Sequence, residues 1–128
     1  MRYPGLTLRI LGEKSPAMGP GKAELISRIN ATGSISAAAR QMNMSYLRAW
    51  KLVEAINNSF VEPVVLTAIG GKRGGGATVT AFGQQLVVQF RAMEDKASAA
   101  ITEDLEQFTQ HLRKQGTLRK RAIARKSR

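Results

Sequence analysis

The chain of 128 residues contains no cysteine and a single histidine, and these shortages exclude several kinds of chemistry. Without cysteine there can be no disulfide, no thiol nucleophile and no cysteine metal site. One histidine, His111, cannot build a multi-histidine metal site. No catalytic or cofactor motif fits the sequence either. It therefore predicts a protein that is not an enzyme and that holds no metal or cofactor.

Long apolar runs are missing as well. No stretch approaches the ~20 apolar residues that a membrane-spanning helix needs, and the N-terminus lacks the pattern of a signal peptide. A hydrophobic content of 43% is enough for one compact core. We therefore expect a cytoplasmic protein with one domain over residues 1–112.

Acidic residues are few, since 9 Asp and Glu are outnumbered by 20 Lys and Arg, for a formal net charge of +11. Residues 113–128 hold eight of the basic residues and no acidic one, so the remainder carries only +3. Such a surplus favours a polyanionic partner: nucleic acid, an anionic membrane surface or an acidic protein. We expect residues 113–128 to form a flexible basic tail. It either tethers the chain to DNA or only keeps it soluble.

The first third of the chain carries one strand signal and one helix signal. Leu6, Leu8 and Ile10 alternate with other residues, which predicts a half-buried strand over residues 6–11. A helix is predicted from Lys22 onwards, with Gly33 as its C-cap.

Residues 34–57 follow the pattern of two helices joined by a short turn. Ser36 is a candidate N-cap for a helix over residues 37–42, and Asn43 suits the left-handed conformation that ends it. Ser45 is a candidate N-cap for the second helix. Because small alanines let the two helices cross closely, the pattern predicts a helix-turn-helix. The positions of the second helix that are predicted to face the core are Ala49, Trp50, Val53 and Ile56.

Five of the 12 glycines surround Lys72 and Arg73 in the stretch TAIGGKRGGGATVT. A phosphate-binding loop does not fit, because neither the Walker nor the dinucleotide spacing is present. A linker would leave two short strand patterns without partners. A β-hairpin with both charges at its tip is the better interpretation. The charges then either contact phosphate or the minor groove, or keep a sheet edge from aggregating.

A long amphipathic pattern follows Thr80, a candidate N-cap. If it is continuous over residues 81–114, the helix is roughly 50 Å long at 1.5 Å per residue. The helix either folds back over its own domain or pairs with a second copy, and its length favours a homodimer. The residues predicted to make the dimer contact are Leu86, Phe90, Met93, Ile101, Leu105 and Phe108.

A helix-turn-helix followed by a hairpin is a winged helix, so the expected fold class is mainly α with a small β wing and a long C-terminal dimerisation helix. The second helix of the pair then enters the major groove, where Arg48 could contact guanine and Tyr46 a phosphate or sugar. Alternatively, Tyr46 and Leu47 only pack and Arg48 is only solvated. The residues predicted to contact DNA are Ser36, Ser45, Tyr46, Leu47, Arg48, Lys51, Lys72 and Arg73.

Two segments carry a family resemblance. GSISAAARQMNMSYLRAW, residues 33–50, resembles the helix-turn-helix of LysR-type regulators. SYLRAW together with GGKRGGGATVTAFGQQL, residues 70–86, resembles the N-terminal DNA-binding domain of ModE-type molybdate-responsive regulators, and the similarity covers residues 6–112. It implies a dimeric winged-helix repressor of molybdenum-related genes, paired through the N-terminal strand region and the final helix.

One departure from the family pattern affects the cofactor. ModE-type members continue into a β-rich module that binds the oxyanion, whereas this sequence ends in the basic residues 113–128. The resemblance implies a molybdate response, but without this module we do not expect direct molybdate binding. The chain then either binds DNA constitutively, uses a separate sensor protein, or binds molybdate at a site that the sequence does not reveal. The alternative function is an architectural protein that binds nucleic acid without reading its sequence.

Overall fold

The computed structural model of the chain describes residues 5–68 and 76–113. This part is mainly helical and contains two small antiparallel strand pairs. Its strands are β1 (Ile10–Leu11), β2 (Pro16–Met18), β3 (Val65–Ala68) and β4 (Gly76–Val79), and its helices are α1 (Pro20–Thr32), α2 (Ile35–Gln41), α3 (Tyr46–Ser59), α4 (Ala81–Ala100) and α5 (Thr102–Thr109).

The N-terminal strand is shorter than predicted. Of the predicted residues 6–11, only the two residues of β1 pair with β2. Ile10 lies opposite Met18, and the register of the pair shifts between Ile10 and Leu11. Pro16 has no N–H to donate, which limits the ladder at its other end. The predicted alternation is nevertheless confirmed, because Leu6, Leu8 and Ile10 are half-buried and the residues between them are exposed.

Helix α1 begins two residues earlier than predicted, at Pro20, because proline is favoured in the first helical position. It ends as predicted at Gly33, whose φ of 71° lies in the left-handed region and whose N–H donates to Ile29 O at 2.7 Å. Ala23, Leu25, Ile26 and Ile29 bury one face of α1 in the core.

The predicted cap of α2 was wrong by two residues. Ser34 caps the helix, with its Oγ accepting from the N–H of Ala37 at 3.0 Å, and Ser36 lies inside the helix with an exposed side chain. Gly33 ends α1, so the next residue is already extended and free to cap. The left-handed Asn43 is confirmed by a φ of 57°.

Helix α3 is capped by Ser45 as predicted, because its Oγ accepts from the N–H of Arg48 at 3.0 Å. Ala49, Val53 and Ile56 are buried. Trp50 is half-buried and packs against the core from its edge, which corrects the prediction that it lies within the core.

Strands β3 and β4 confirm the predicted antiparallel pair. Val65 lies opposite Val79 and Ala68 lies opposite Gly76. Lys72 and Arg73, predicted at the tip of this hairpin, lie outside the described residues, as does the basic segment 114–128.

The final helix is not continuous as predicted. Thr80 caps α4, with its Oγ accepting from the N–H of Gly83 at 2.9 Å, but α4 ends at Ala100 and α5 begins at Thr102. Ile101 between them has φ −117° and ψ 19°. The Thr102 hydroxyl donates to Ser98 O at 2.9 Å, and such back-bonding by a β-branched residue bends a helix. The 20 residues of α4 therefore span only about 30 Å.

The core lies where α1, α2, α3 and the hairpin meet α4. Phe90 from α4 is 1% exposed and packs in this core, together with residues from α1, α3 and β3. This position corrects its assignment as a dimer contact, since a side chain buried in its own chain is not available to a second copy. The largest fully buried side chains are Phe90, Leu25, Ile26, Ile29, Ile56 and Val64.

Candidate nucleic-acid interface

The first turns of α3 present a compact exposed surface. Tyr46 and Leu47 are 54% and 59% exposed, far more than apolar residues in a packed helix. A shallow concavity of about 340 Å³ runs along the helix beside them. Its lining consists of Ser45, Leu47, Arg48, Lys51 and Leu52. The structure therefore places most of the residues predicted from α3 on one accessible face.

Local contacts orient this face. The cap formed by Ser45 fixes the start of α3, and its free backbone amides give that end a partial positive charge. The Tyr46 ring stacks on Trp50 with 6.4 Å between ring centroids, so Tyr46 is held along the helix although it is exposed. Arg48 and Lys51 add full positive charges close to the helix start. Together these groups present a positive, polar rim that suits an anionic ligand.

Ser36 is the member of the predicted set that does not join this surface. It lies on α2 and is exposed, but it does not line the concavity beside α3.

Two basic residues that the sequence interpretation missed lie beside the same helix. A second cavity, of about 320 Å³, is lined by Arg9 and Lys22 together with Arg48. Lys22 donates from Nζ to Pro16 O at 2.6 Å. Burial lowers the pKa of the Lys22 ammonium, and the charge of Arg9 lowers it further. No local motif marks either residue, because they are far from α3 in sequence and come together only through the fold.

Asn57 was also missed, and it fixes the hairpin relative to α3. Its Oδ1 accepts from the N–H groups of Val64 and Val65, at 2.8 and 3.0 Å, and its Nδ2 donates to Val65 O at 2.9 Å. One side chain in the last turn of α3 thus satisfies three backbone groups at the start of β3. The sequence signal for this role was that Asn57, a polar residue, follows the apolar positions of α3 directly after Ile56.

A chain of charged contacts connects α4 to the helices before α3. Arg91 contacts Glu94 at 3.0 Å and Glu24 at 3.4 Å, and Glu94 is only 3% exposed. Glu24 in turn contacts Arg28 at 2.7 Å, and Arg28 donates to Gln41 at 3.0 Å. These contacts run from α4 through α1 to the end of α2.

The predicted dimer residues are divided by the structure. Leu86 is half-buried and packs against the core, while Ile101 and Leu105 are half-buried further along. Met93 and Phe108 are 42% and 66% exposed. An exposed apolar surface therefore begins in the second half of α4 and continues on α5.

Residues 5–68 and 76–113 lack two features that bear on the site. They contain no group of three or more His, Cys, Asp or Glu that could hold a metal ion. Within the same ranges, the helices are too short or too polar to cross a bilayer.

Comparison with known proteins gives several relatives, although no protein-family model matches the chain. It is 45% identical over 85 residues to the molybdenum-pterin-binding protein MopB of Rhodobacter capsulatus, covering 66% of this chain and 32% of the relative. It is 34% identical over 85 residues to the molybdenum transport protein ModE of Azotobacter vinelandii, with the same coverage. It is 33% identical over 88 residues to the DNA-binding transcriptional dual regulator ModE of Escherichia coli, covering 66% of this chain and 34% of the relative. The chain thus spans about a third of the length of these curated relatives.

Proposed function

Over the matched segment this chain is a homologue of the ModE and Mop proteins, and we propose on this basis that it is a sequence-specific, DNA-binding transcriptional regulator. In this proposal α2 and α3 form a helix-turn-helix, and β3 with β4 forms the wing of a winged helix. The start of α3 enters the major groove, and the wing lies on the backbone or in the minor groove.

The observation that carries the proposal is the exposed surface at the start of α3. It combines the capped helix start, two basic side chains and two large apolar or aromatic side chains that the core does not cover. Arg48 is the proposed base-reading residue, because a guanidinium can bind both acceptors on the major-groove edge of guanine. Ser45 and Tyr46 are proposed to contact phosphate or sugar, and Leu47 to contact a thymine methyl group.

Residues outside the described structure enter the proposal through their charge. Lys72 and Arg73 are proposed to contact the backbone or the minor groove, and residues 113–128 to add attraction to any DNA. Ser36 is proposed to contact phosphate from α2. Each phosphate that the protein neutralises steepens the slope of the logarithm of the binding constant against the logarithm of the salt concentration by about 0.9.

The chain is further proposed to act as a homodimeric repressor in the cytoplasm. The apolar surface supports the dimer, since Met93 and Phe108 are exposed and Ile101 and Leu105 lie between them. Two-fold dimers read pseudo-palindromes whose half-sites lie near whole helical turns. Light scattering of the purified chain at micromolar concentration should give twice the monomer mass, and the monomer mass would contradict the dimer.

Molybdenum enters the proposal only through the names of the relatives. We propose that the target genes are related to molybdenum, and that a separate sensor supplies any molybdate response. Affinity selection of fragmented genomic DNA at ~0.15 M salt, with and without molybdate, tests both points. Sharp peaks that share a pseudo-palindrome support a sequence-reading regulator. Peaks that require molybdate contradict the separate sensor.

The variant that tests the recognition surface is Arg48→Ala. Loss of one bidentate contact should weaken binding to the selected site by about 1–3 kcal/mol and relax the preference at one base pair. Lys96→Ala, which removes one exposed charge from α4, is the matched control and should keep the preference. An Arg48→Ala chain with unchanged affinity and preference would refute this role for Arg48.

An architectural protein is the second candidate function, favoured by the concentration of charge in residues 113–128. Such a protein would enrich genomic fragments evenly and without a shared motif. Its binding would weaken steeply with salt on every sequence alike. The same selection experiment therefore separates the two candidates.

A further inference from the structure

The cavity lined by Arg9, Lys22 and Arg48 lies between the N-terminal segment, the start of α1 and one flank of α3. Its volume of about 320 Å³ leaves room for a phosphate group and part of a sugar. No carboxylate is among its lining residues. Gly19, Met44 and Leu52 are among its remaining lining residues.

The positive charge in this cavity has no counter-ion among residues 5–68 and 76–113. Arg28 and Arg91 form ion pairs with Glu24 and Glu94, and no ion pair joins Arg9, Lys22 or Arg48 to another described residue. The hydrogen bond from Lys22 to Pro16 O holds the ammonium at the wall but does not neutralise it. Like charges held near one another repel, and the effect of Arg9 on the pKa of Lys22 reflects that repulsion. An anion placed between them would remove it.

The start of α1 adds to the same field. Gly19, the N-cap, offers no side-chain acceptor, and the first turn of α1 contains no acidic residue. The free amides of a helix start carry a partial positive charge. Arg9 lies over this end, since its Cγ would be 3.6 Å from a Cβ on Gly19.

The position of the cavity favours one kind of anion. Arg48 and Leu52 line both this cavity and the concavity along α3, so the two surfaces adjoin at these side chains. A helix in the major groove has the sugar–phosphate backbone along both of its flanks. The apolar side chains of Met44 and Leu52 suit a deoxyribose next to a charged phosphate.

We propose that this cavity binds one backbone phosphate of DNA, with Arg9 and Lys22 as the phosphate ligands on the flank of α3. The inference rests on the proposed DNA-binding function and adds two residues to it. These contacts would position α3 in the groove and contribute affinity without reading bases.

The test places a carboxylate in the cavity through Gly19→Asp, with Gly19→Asn as the matched control. Gly19 has an extended φ of −160°, and a Cβ there meets no atom closer than 3.6 Å, so a side chain can be added without backbone strain or a clash at Cβ. Aspartate and asparagine cap a helix about equally well, and both should leave the thermal midpoint unchanged or higher. Only aspartate supplies a competing negative charge to Arg9 and Lys22.

We expect Gly19→Asp to weaken binding at least about tenfold on the selected site and on unrelated DNA alike, and to reduce the log–log salt slope by about 0.9. Gly19→Asn occupies the same helix-start amides without adding a charge, so it should lose less affinity than Gly19→Asp and keep the wild-type salt slope. Arg9→Gln, which changes an exposed side chain, should lower the affinity and the slope in the same way.

The outcomes separate this inference from the proposed function. A wild-type chain that binds no DNA contradicts both. Wild-type binding that Gly19→Asp leaves unchanged, in affinity and in salt slope, contradicts the inference alone. A third arm titrates inorganic phosphate at constant ionic strength and follows the thermal midpoint. Saturable stabilisation of the wild-type chain that Gly19→Asp abolishes, together with unchanged DNA binding by that variant, would identify a free oxyanion as the ligand and overturn the assignment to DNA.

Discussion

Replacing Gly83 by alanine should destabilise the protein, although alanine is the better helix former. Gly83 is buried in the first turn of α4. A Cβ at this position would lie 2.7 Å from Val64 O, 2.8 Å from Val64 Cγ1 and 3.0 Å from Val79 Cγ1. Val64 O cannot simply withdraw, because it accepts the N–H of Thr80 at 2.9 Å. The substitution must therefore move α4 away from the hairpin.

The balance of two effects gives the magnitude. Alanine gains at most about 1 kcal/mol over glycine in a helix, and less in the first turn. Overpacking in a close contact costs about 1–3 kcal/mol, and a weakened hydrogen bond costs about 1 kcal/mol more. We expect a net loss of about 2 kcal/mol, equivalent to a fall of roughly 10 °C in the thermal midpoint.

Chemical denaturation followed by circular dichroism measures this loss, and Gly21→Ala is the matched control. Gly21 lies in the first turn of α1, and a Cβ there meets nothing within 4 Å. The same change should therefore be neutral or stabilise the protein by up to about 1 kcal/mol. If Gly83→Ala were as stable as Gly21→Ala, Gly83 and Val64 would not approach as closely as described, which would refute the predicted clash.

Two further predictions concern the fixing of the hairpin and the charge of the cavity. Asn57→Ala should lower the free energy of unfolding by about 2–3 kcal/mol, because three backbone groups of Val64 and Val65 lose their hydrogen-bond partner. The control Asn58→Ala changes an exposed side chain and should cost under about 0.5 kcal/mol. Equal losses in the two variants would contradict the role of Asn57. Lys22 has a lowered pKa in the folded chain, so the unfolded chain binds the Lys22 proton more tightly. Keeping Lys22 charged therefore costs folding free energy at low pH. This cost disappears as the pH rises from the folded-state pKa towards 10.5. Stability measured across this window should therefore rise less with pH in Lys22→Met than in the wild-type chain, and identical slopes would contradict the assignment.

Features set by local chemistry could be predicted from the sequence. Gly33 and Asn43 adopt left-handed conformations because their own side chains, or the lack of one, permit it. Ser45 and Thr80 cap their helices because a hydroxyl stands just before an apolar helical stripe. The antiparallel hairpin followed from two β-branched segments around a glycine-rich stretch.

The errors arose where tertiary contacts or competing local bonds decided the outcome. Serines at positions 34 and 36 are equally good caps by type, and only the end of α1 at Gly33 selects Ser34. The apolar stripe continued through Ile101, but the hydroxyl of Thr102 bonds back to Ser98 and the helix is interrupted. Phe90 fits a dimer stripe by its spacing, and only the fold shows that its own core takes it up.

If two copies pair through α4 and α5 as proposed, the contacts within each copy relate that pairing to the distance between the two α3 helices. Arg91 links α4 to α1 through Glu24, and the contact of Arg28 with Gln41 extends that link to α2. These contacts are partly exposed and add little stability, so the shared hydrophobic core holds the helices together and the charged contacts only restrain their relative orientation. Within each copy α3 would then have one fixed position relative to α4. The proposed half-site spacing therefore depends on how α4 and α5 pair across the dimer, and a substitution at Arg91 should alter spacing preference more than affinity for a single half-site.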